Sequence, residues 1–292
     1  MVRKGIILTV ESGACLYPLT LGVGKQFLPV YDKPMIYYPL TTLMLAGIRD
    51  ILLISAPQDI DVCRRLLGDG SRWGLRLEYC VQPTPGGLPG ALILGGDFLA
   101  GDACTLISGD SIFYGANLSE MLQIVSQREW GATIFTRWVS RPERYDVVEF
   151  DTDGRVRGLE EKSIRATSHF AIMELYFFDK TVTEKVKFLS PSPRGDLEIV
   201  DLLRLYLERD LLSAESFGRG LARLNTDTPE ALLEAGAYIE GIQKQQGLMA
   251  GCPEEIAWQQ GWIGVEEMNE CISRLAGAEY ARYLKNLMQT VI

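Results

Sequence analysis

Lys4-Gly5-Ile6-Ile7-Leu8-Thr9-Val10-Glu11-Ser12-Gly13-Ala14-Cys15-Leu16-Tyr17-Pro18, continued by Gly24-Lys25-Gln26-Phe27-Leu28-Pro29-Val30, is the stretch on which the fold turns. Ile6 to Val10 is an almost unbroken apolar, β-branched run, the pattern of a strand buried on both faces in a parallel sheet. Glu11-Ser12-Gly13 then turns sharply, and Lys25 follows the loop. A strand, a small-residue loop and a downstream Lys can build a phosphate site, because loop amides and the ammonium share the anion's charge.

The rest of the chain continues in strand–helix alternation. Ile36 to Gly47 has helical spacing and ends at a Gly stop. Asp50 to Ser55 reads as a second buried strand, Asp59 to Leu67 as a helix, and Arg76 to Val81 as a third strand. Such alternation implies a parallel sheet with helices on both faces, whose ligands gather at the carboxyl ends of the strands. Gln82 to Gly90 reads as a loop at that edge, and Thr105 to Asp110 as a fourth strand running into an acid. From Thr133 onward the pattern becomes antiparallel: Thr133–Val139, Val147–Asp151, Arg155–Glu160 and Ala171–Asp179, with a hairpin turn at Asp153-Gly154. Leu197 to Arg209 is an amphipathic helix, Leu221 to Asn225 a short last strand and Pro229 to Gln246 a helix. The expected fold is therefore α/β, a Rossmann-like mixed, mainly parallel sheet with helices on both faces, plus a small antiparallel and helical C-terminal part. Residues 1–246 read as the core domain and 247–292 as a helical C-terminal segment that holds Cys252-Pro-Glu-Glu-Ile-Ala-Trp and a final helix.

With 292 residues, 47% of them hydrophobic and 23% charged, the chain can bury a sizeable core. A net charge of −9 argues against non-specific nucleic-acid binding. No apolar stretch reaches the ~20 residues of a membrane span, and the amino terminus lacks a signal-peptide apolar region, so a cytoplasmic protein is expected. The six Cys form no Cys-x-x-Cys pair and there is one His, which speaks against a zinc site or a disulfide framework.

These motifs resemble the sugar-1-phosphate nucleotidylyltransferases, which open with Leu-Ala-Gly-Gly-Ser-Gly-Thr-Arg-Leu-Tyr-Pro and continue with Ser-Lys-Gln-Leu-Leu-Pro. The likeness spans nearly the whole chain, through Asp32-Lys-Pro-Met-Ile-Tyr-Tyr-Pro-Leu, Leu67-Gly-Asp-Gly-Ser, Leu159-Glu-Glu-Lys, Arg194-Gly-Asp-Leu-Glu-Ile and Cys252-Pro-Glu-Glu-Ile-Ala. It implies a tetramer and descent from a reaction in which glucose 1-phosphate attacks the α-phosphorus of dTTP, releasing pyrophosphate. Such chemistry depends on positioned cations rather than covalent catalysis. By resemblance, Lys25 would hold the nucleotide phosphates and Lys162 the sugar phosphate, with Cys15 at the position of the catalytic Arg. Leu8, Ser12, Gly13, Gln26, Gln82 and Gly87 would bind the nucleotide. Tyr145, Asp146, Glu161, Glu174 and Arg194 would face the sugar. Asp110 and Asn225 would bind Mg²⁺. Leu45, Tyr114, Gly115, Arg219, Glu255 and Ile256 would correspond to a regulatory nucleotide site between subunits, although Ala116-Asn117 and Gln259 depart from its usual His-Asp and Arg.

The departures gather at the site. Cys15 offers neither the fork nor the charge of Arg. Val10 and Glu11 stand for glycines that let phosphate approach the backbone, and Glu11 adds a like charge. Leu224-Asn225-Thr226-Asp227 replaces the end of Trp-Leu-Asp-Thr-Gly, Met173-Glu174 replaces Thr-Gly, and Asp146 replaces a Gly that faces the sugar. Drift at tolerant positions does not concentrate this way. The expected protein is a pseudoenzyme with lost or residual turnover. It would bind dTTP or a dTDP-sugar, or join a homotetramer or a mixed oligomer with an active paralogue. The alternative is an active transferase of altered substrate, with Arg3, Arg194 or Arg223 compensating. A Cys15 nucleophile is the weakest option, since the sequence supplies it no base.

Overall fold

The computed structural model describes residues 2–10, 13–83, 86–162, 166–193, 195–275 and 277–289. Glu11, Ser12 and Arg194 lie outside the described residues. The opening run becomes β1 (Arg3–Leu8), buried along its whole length. After a hairpin of two-residue strands, β2 (Pro29–Val30) and β3 (Lys33–Pro34), come α1 (Tyr37–Leu45), β4 (Asp50–Ser55), α2 (Ile60–Leu67) and β5 (Arg76–Val81). Then follow α3 (Gly87–Leu94), the short α4 (Gly96–Leu99) and β6 (Ala103–Ser108). The second half holds β7 (Ile112–Gly115), α5 (Leu118–Ser126), β8 (Ala132–Trp138), β9 (Val147–Phe150), β10 (Val156–Glu160) and β11 (Phe170–Phe178). It continues with α6 (Val182–Lys185), α7 (Ile199–Leu207), β12 (Leu212–Ser216), β13 (Leu221–Leu224) and α8 (Pro229–Gln246), and closes with α9 (Pro253–Gln259), α10 (Val265–Arg274) and α11 (Glu279–Gln289).

The main sheet runs β10-β9-β11-β6-β1-β4-β5, with β8 on β11 and β12 on β8. Strands β6, β1, β4 and β5 are parallel, while β11 runs antiparallel to β6, β8 and β9. The sheet is thus the mixed Rossmann-like one expected. Successive β1 residues point to opposite layers: Ile7 joins Leu40, Leu43 and Leu53 on one face, and Ile6 joins Leu92, Leu106 and Leu203 on the other. That is why the strand reads apolar throughout rather than alternating.

Two sequence expectations are corrected. Gln82 to Gly90 is not loop throughout, because α3 starts at Gly87. Pro89 falls in its first turn, where an N–H has no intrahelical acceptor to lose. The C-terminal segment holds three helices rather than one final helix, and Ile256, Met268, Ile272 and Leu284 join the same apolar layer as α1. Helix α8 matches its expected bounds because its signals are local. Thr228 Oγ1 accepts from the Ala231 N–H at 3.1 Å, Pro229 opens the helix, and Gly247 ends it at φ 71°. Among the described residues no helix is long and apolar enough to cross a membrane.

Candidate active site

Because β1 and β6 lie parallel with Leu8 opposite Ser108, both strands end at the same edge of the sheet. Gly109 makes the turn there: a Cβ on it would come within 2.6 Å of Thr9 Cγ2. Asp110 follows and is buried. Lys25, also buried, donates from Nζ to Asp110 Oδ2 at 2.5 Å and to Asp227 Oδ1 at 2.8 Å. Ser108 Oγ donates to the other Asp110 oxygen at 2.7 Å. Burial alone would raise the Asp110 carboxyl, but the Lys25 and Arg223 charges and the bonds from Lys25 and Ser108 hold it below its ordinary value.

Asp227 is not among the residues the sequence singles out, although it lies in a motif that departs from the family pattern. Asn225 Oδ1 accepts the Asp227 N–H at 3.0 Å, a local turn that folds the amide oxygen back onto its own backbone. The second metal position of the family pattern is therefore spent on a turn, and the acid two residues later reaches Lys25 instead. Asp110 fits Mg²⁺ as one carboxylate ligand, while Asn225 can offer only an uncharged amide oxygen that already accepts one N–H. Among the described residues no group of three His, Cys, Asp or Glu could hold a metal. Any Mg²⁺ would arrive with nucleotide phosphates supplying most of its shell.

Leu8, Thr9, Lys25, Gln26, Ser108 and Asp110 line a narrow cleft of about 10 Å³. Among the described residues Gln26 Nε2 and Gln82 Oε1 are buried without a partner, an arrangement that a polar base edge could satisfy. Gly87, with φ 66°, has the Leu197 carbonyl oxygen 2.6 Å from where a Cβ would sit. The first loop is shaped by Gly13, at φ 55°, whose carbonyl accepts from Thr20 Oγ1 at 2.7 Å. Cys15 is solvent-exposed on that loop, and Val10 packs on the apolar layer of Ile6 and Ile54.

A larger cavity of about 270 Å³ lies alongside, lined by Tyr145, Asp146, Lys162, Glu174, Arg223 and Asp227 among others. Three of the residues expected to face the sugar therefore share one chamber with Lys162. Glu161, expected with them, is not on its wall. Arg223 Nη2 donates to Glu174 Oε2 at 3.1 Å, which joins β13 to β11 across the chamber. Burial raises the Glu174 carboxyl against the pull of Arg223, and the Asp110 and Asp227 charges raise it further. Burial likewise raises Asp146, whose Oδ1 accepts the Lys162 N–H at 3.2 Å.

Two measurements check this electrostatic picture. Lys25→Ala should cost ~3 to 5 kcal/mol in urea unfolding, because it strands the buried Asp110 carboxylate; a cost under ~1 kcal/mol would show that the ion cluster is not structural. Asp146→Asn keeps an oxygen for the Lys162 N–H and removes a charge that folding disfavours. A raised carboxyl contributes stability below its unfolded value and loses it as pH rises through the folded one. The variant should therefore melt higher than wild type at pH 7, with the difference vanishing below the ordinary 3.8. A gain independent of pH would refute that cause.

Of the residues assigned to a regulatory site, Tyr114 and Glu255 lie near one another. The Tyr114 hydroxyl donates to Gln246 Oε1, and Tyr114 is close enough to Glu255 to feel its charge. Glu255 accepts from Tyr283 at 2.7 Å and from Gln259 at 3.1 Å. Leu45 and Ile256 pack in the adjoining apolar layer, Gly115 pairs with Leu221, and Arg219 is exposed. Burial raises the Glu255 carboxyl.

The sequence pattern of the nucleotidyl transferase family matches residues 4–241. Over 285 residues the chain is 50% identical to a glucose-1-phosphate thymidylyltransferase of Xanthomonas campestris pv. campestris, covering 98% of this chain and 97% of that protein. It is 49% identical to the Neisseria meningitidis protein of that name, covering 98% and 99%. A Bacillus anthracis structure described as a putative glucose-1-phosphate thymidylyltransferase, in complex with a sucrose, superposes with a TM-score of 0.73 at 33% identity, over 81% of this chain and 95% of that one. A UDP-glucose pyrophosphorylase shares the fold at 19% identity, with a TM-score of 0.72 over 82% of this chain and 100% of its own.

Proposed function

Since this chain belongs to the nucleotidyl transferase family, alongside glucose-1-phosphate thymidylyltransferases along nearly its whole length, we propose that it keeps their ligand-binding frame while its turnover is lost or residual. One observation carries this. Two cations of the site are paired with carboxylates of the chain itself, Lys25 with Asp227 and Arg223 with Glu174. Both acids stand where the family pattern has glycine. Transferring a nucleotidyl group requires cations aimed at phosphate oxygens as charge develops. Here Cys15 contributes no charge, Asn225 no carboxylate, and these two cations already face anions. The ligands proposed are dTTP or a dTDP-sugar, with Mg²⁺ carried on the nucleotide phosphates, whose charge it would neutralise when bound.

Pyrophosphate release with dTTP, Mg²⁺ and glucose 1-phosphate, run beside a thermal-shift series with dTTP, dTDP and dTDP-glucose, tests the proposal. Stabilisation without release is expected. Release at an ordinary rate would favour the second reading, an active transferase in which Arg223 compensates. Its one support is that Arg223 feels the charges of Asp110 and Asp227 as well as Glu174.

The protein is further proposed to act in the cytoplasm as a homotetramer or a mixed oligomer with an active paralogue. In that division of labour residues 1–246 hold the ligand and 247–292 supply regulatory and subunit contacts. Light scattering at micromolar concentration should find an oligomer, alone or with the paralogue; monomer in both cases would sink this part.

A further inference from the structure

Asp146 and Glu174 put two carboxylates on the wall of the 270 Å³ chamber at positions where the family pattern has glycine. They act on the same group: burial, then the Glu174 and Asp146 charges, push the Tyr176 phenol well above its ordinary value. Their neutralisation is unequal. Glu174 has Arg223 at 3.1 Å, whereas Asp146 has the Lys162 backbone N–H at 3.2 Å and no side-chain ion pair among the described residues. A carboxylate withdrawn from water without a cation is costly, and side chains in that state are ordinarily answered by a partner or a ligand.

A second observation on the same wall has the opposite polarity. Among the described residues Arg223 Nε, buried, has no acceptor, although the guanidinium is otherwise engaged with Glu174. The chamber therefore presents a carboxylate without a directly bonded cation, for which the Lys162 charge offsets burial only in part, and a donor lacking an acceptor. A ligand matching both would carry an ammonium group and an anionic group a few bonds apart on a compact polar ring. We propose that the chamber binds an amino sugar phosphate, the ammonium on Asp146 and the phosphate toward Lys162 and Arg223. The idea rests on the chamber being the sugar site of the function proposed above. A neutral sugar phosphate would meet the same walls with hydroxyls, which can donate to Asp146 but bring no charge to it.

The test is titration calorimetry of wild type, Asp146→Asn and Glu174→Gln with glucosamine 1-phosphate and glucose 1-phosphate as probes. A charge-assisted bond on a partly buried carboxylate predicts at least about tenfold tighter binding of glucosamine 1-phosphate by wild type. Asp146→Asn should bring the two probes to near parity. Glu174→Gln should weaken the preference less, because Arg223 already answers that carboxylate. Parity in wild type, or a preference that survives Asp146→Asn in folded protein, would overturn the proposal. If neither sugar phosphate binds while dTTP or dTDP still raises the melting temperature, the amino-sugar inference fails and nucleotide binding stands. If nothing binds, both fail.

Discussion

Wild-type protein mixed with dTTP, Mg²⁺ and glucose 1-phosphate should release pyrophosphate no faster than ~10⁻³ per second. The figure follows from what the site lacks. Removing one preorganised electrostatic partner costs ~10² to 10³ in turnover. Cys15 and Asn225 are two such losses against the family pattern, and ordinary enzymes turn over at ~10 per second. Groups acting as a unit do not add independently, so the product of the two losses is an order-of-magnitude figure. Cys15 is exposed and brings no charge to the site, and Lys25 is engaged with Asp110 and Asp227. A turnover above ~1 per second would mean that other side chains carry the transition-state charge, and Arg223 would be the first to examine.

How much of this is legible in the sequence depends on how local each signal is. Strands β4 and β5 and helix α8 fall on their expected bounds because apolar runs, caps and stops lie within each segment. Helix α3 is hidden because Gly87-Leu88-Pro89-Gly90 is turn-like in composition, and its packing against β1, α6 and α7 decides for a helix. The site is half legible. The motifs locate Lys25, Asp110, Asp146, Lys162 and Glu174, and the structure gathers them along the cleft and the chamber beside it. What the motifs do not reveal is which charges answer one another. Asp227 escapes a motif reading because the family's metal position falls on Asn225, and its bond to Lys25 joins residues 202 apart in sequence. The Glu174–Arg223 pair likewise joins β11 to β13, a distance that no periodicity reports. Which side chain neutralises which is a tertiary fact, visible only once both have places.

Rebuilding the first loop should recover nucleotide binding before it recovers chemistry. In Val10→Gly, Glu11→Gly, Cys15→Arg, backbone amides again become approachable, the Glu11 charge goes, and Arg supplies a bidentate fork. Two charge-assisted bonds predict roughly 100-fold tighter binding of Mg·dTTP in titration calorimetry. The variant will lose some stability, since Val10 leaves the apolar layer of Ile6 and Ile54, so folding must be confirmed by unfolding in urea. Turnover should require two further changes. Asp227→Gly releases Lys25 from the Asp227 carboxylate while Asp110 stays bonded to it. Asn225→Asp supplies the carboxylate that would hold Mg²⁺ with Asp110, a clamp that one acid alone makes weakly. The backbone N–H at position 227 persists in Asp227→Gly, so it can still capture the carboxylate introduced by Asn225→Asp in the same local turn. For that reason the variant carrying all five changes is expected to bind as the triple does and to turn over measurably, yet below ordinary rates. If the triple variant is folded and binds Mg·dTTP no better than wild type, the first loop is not the defect. The carboxylates facing Lys25 and Arg223 would then be the cause, and Asp227→Gly with Glu174→Gly, in the native loop, should raise nucleotide affinity where the loop changes did not.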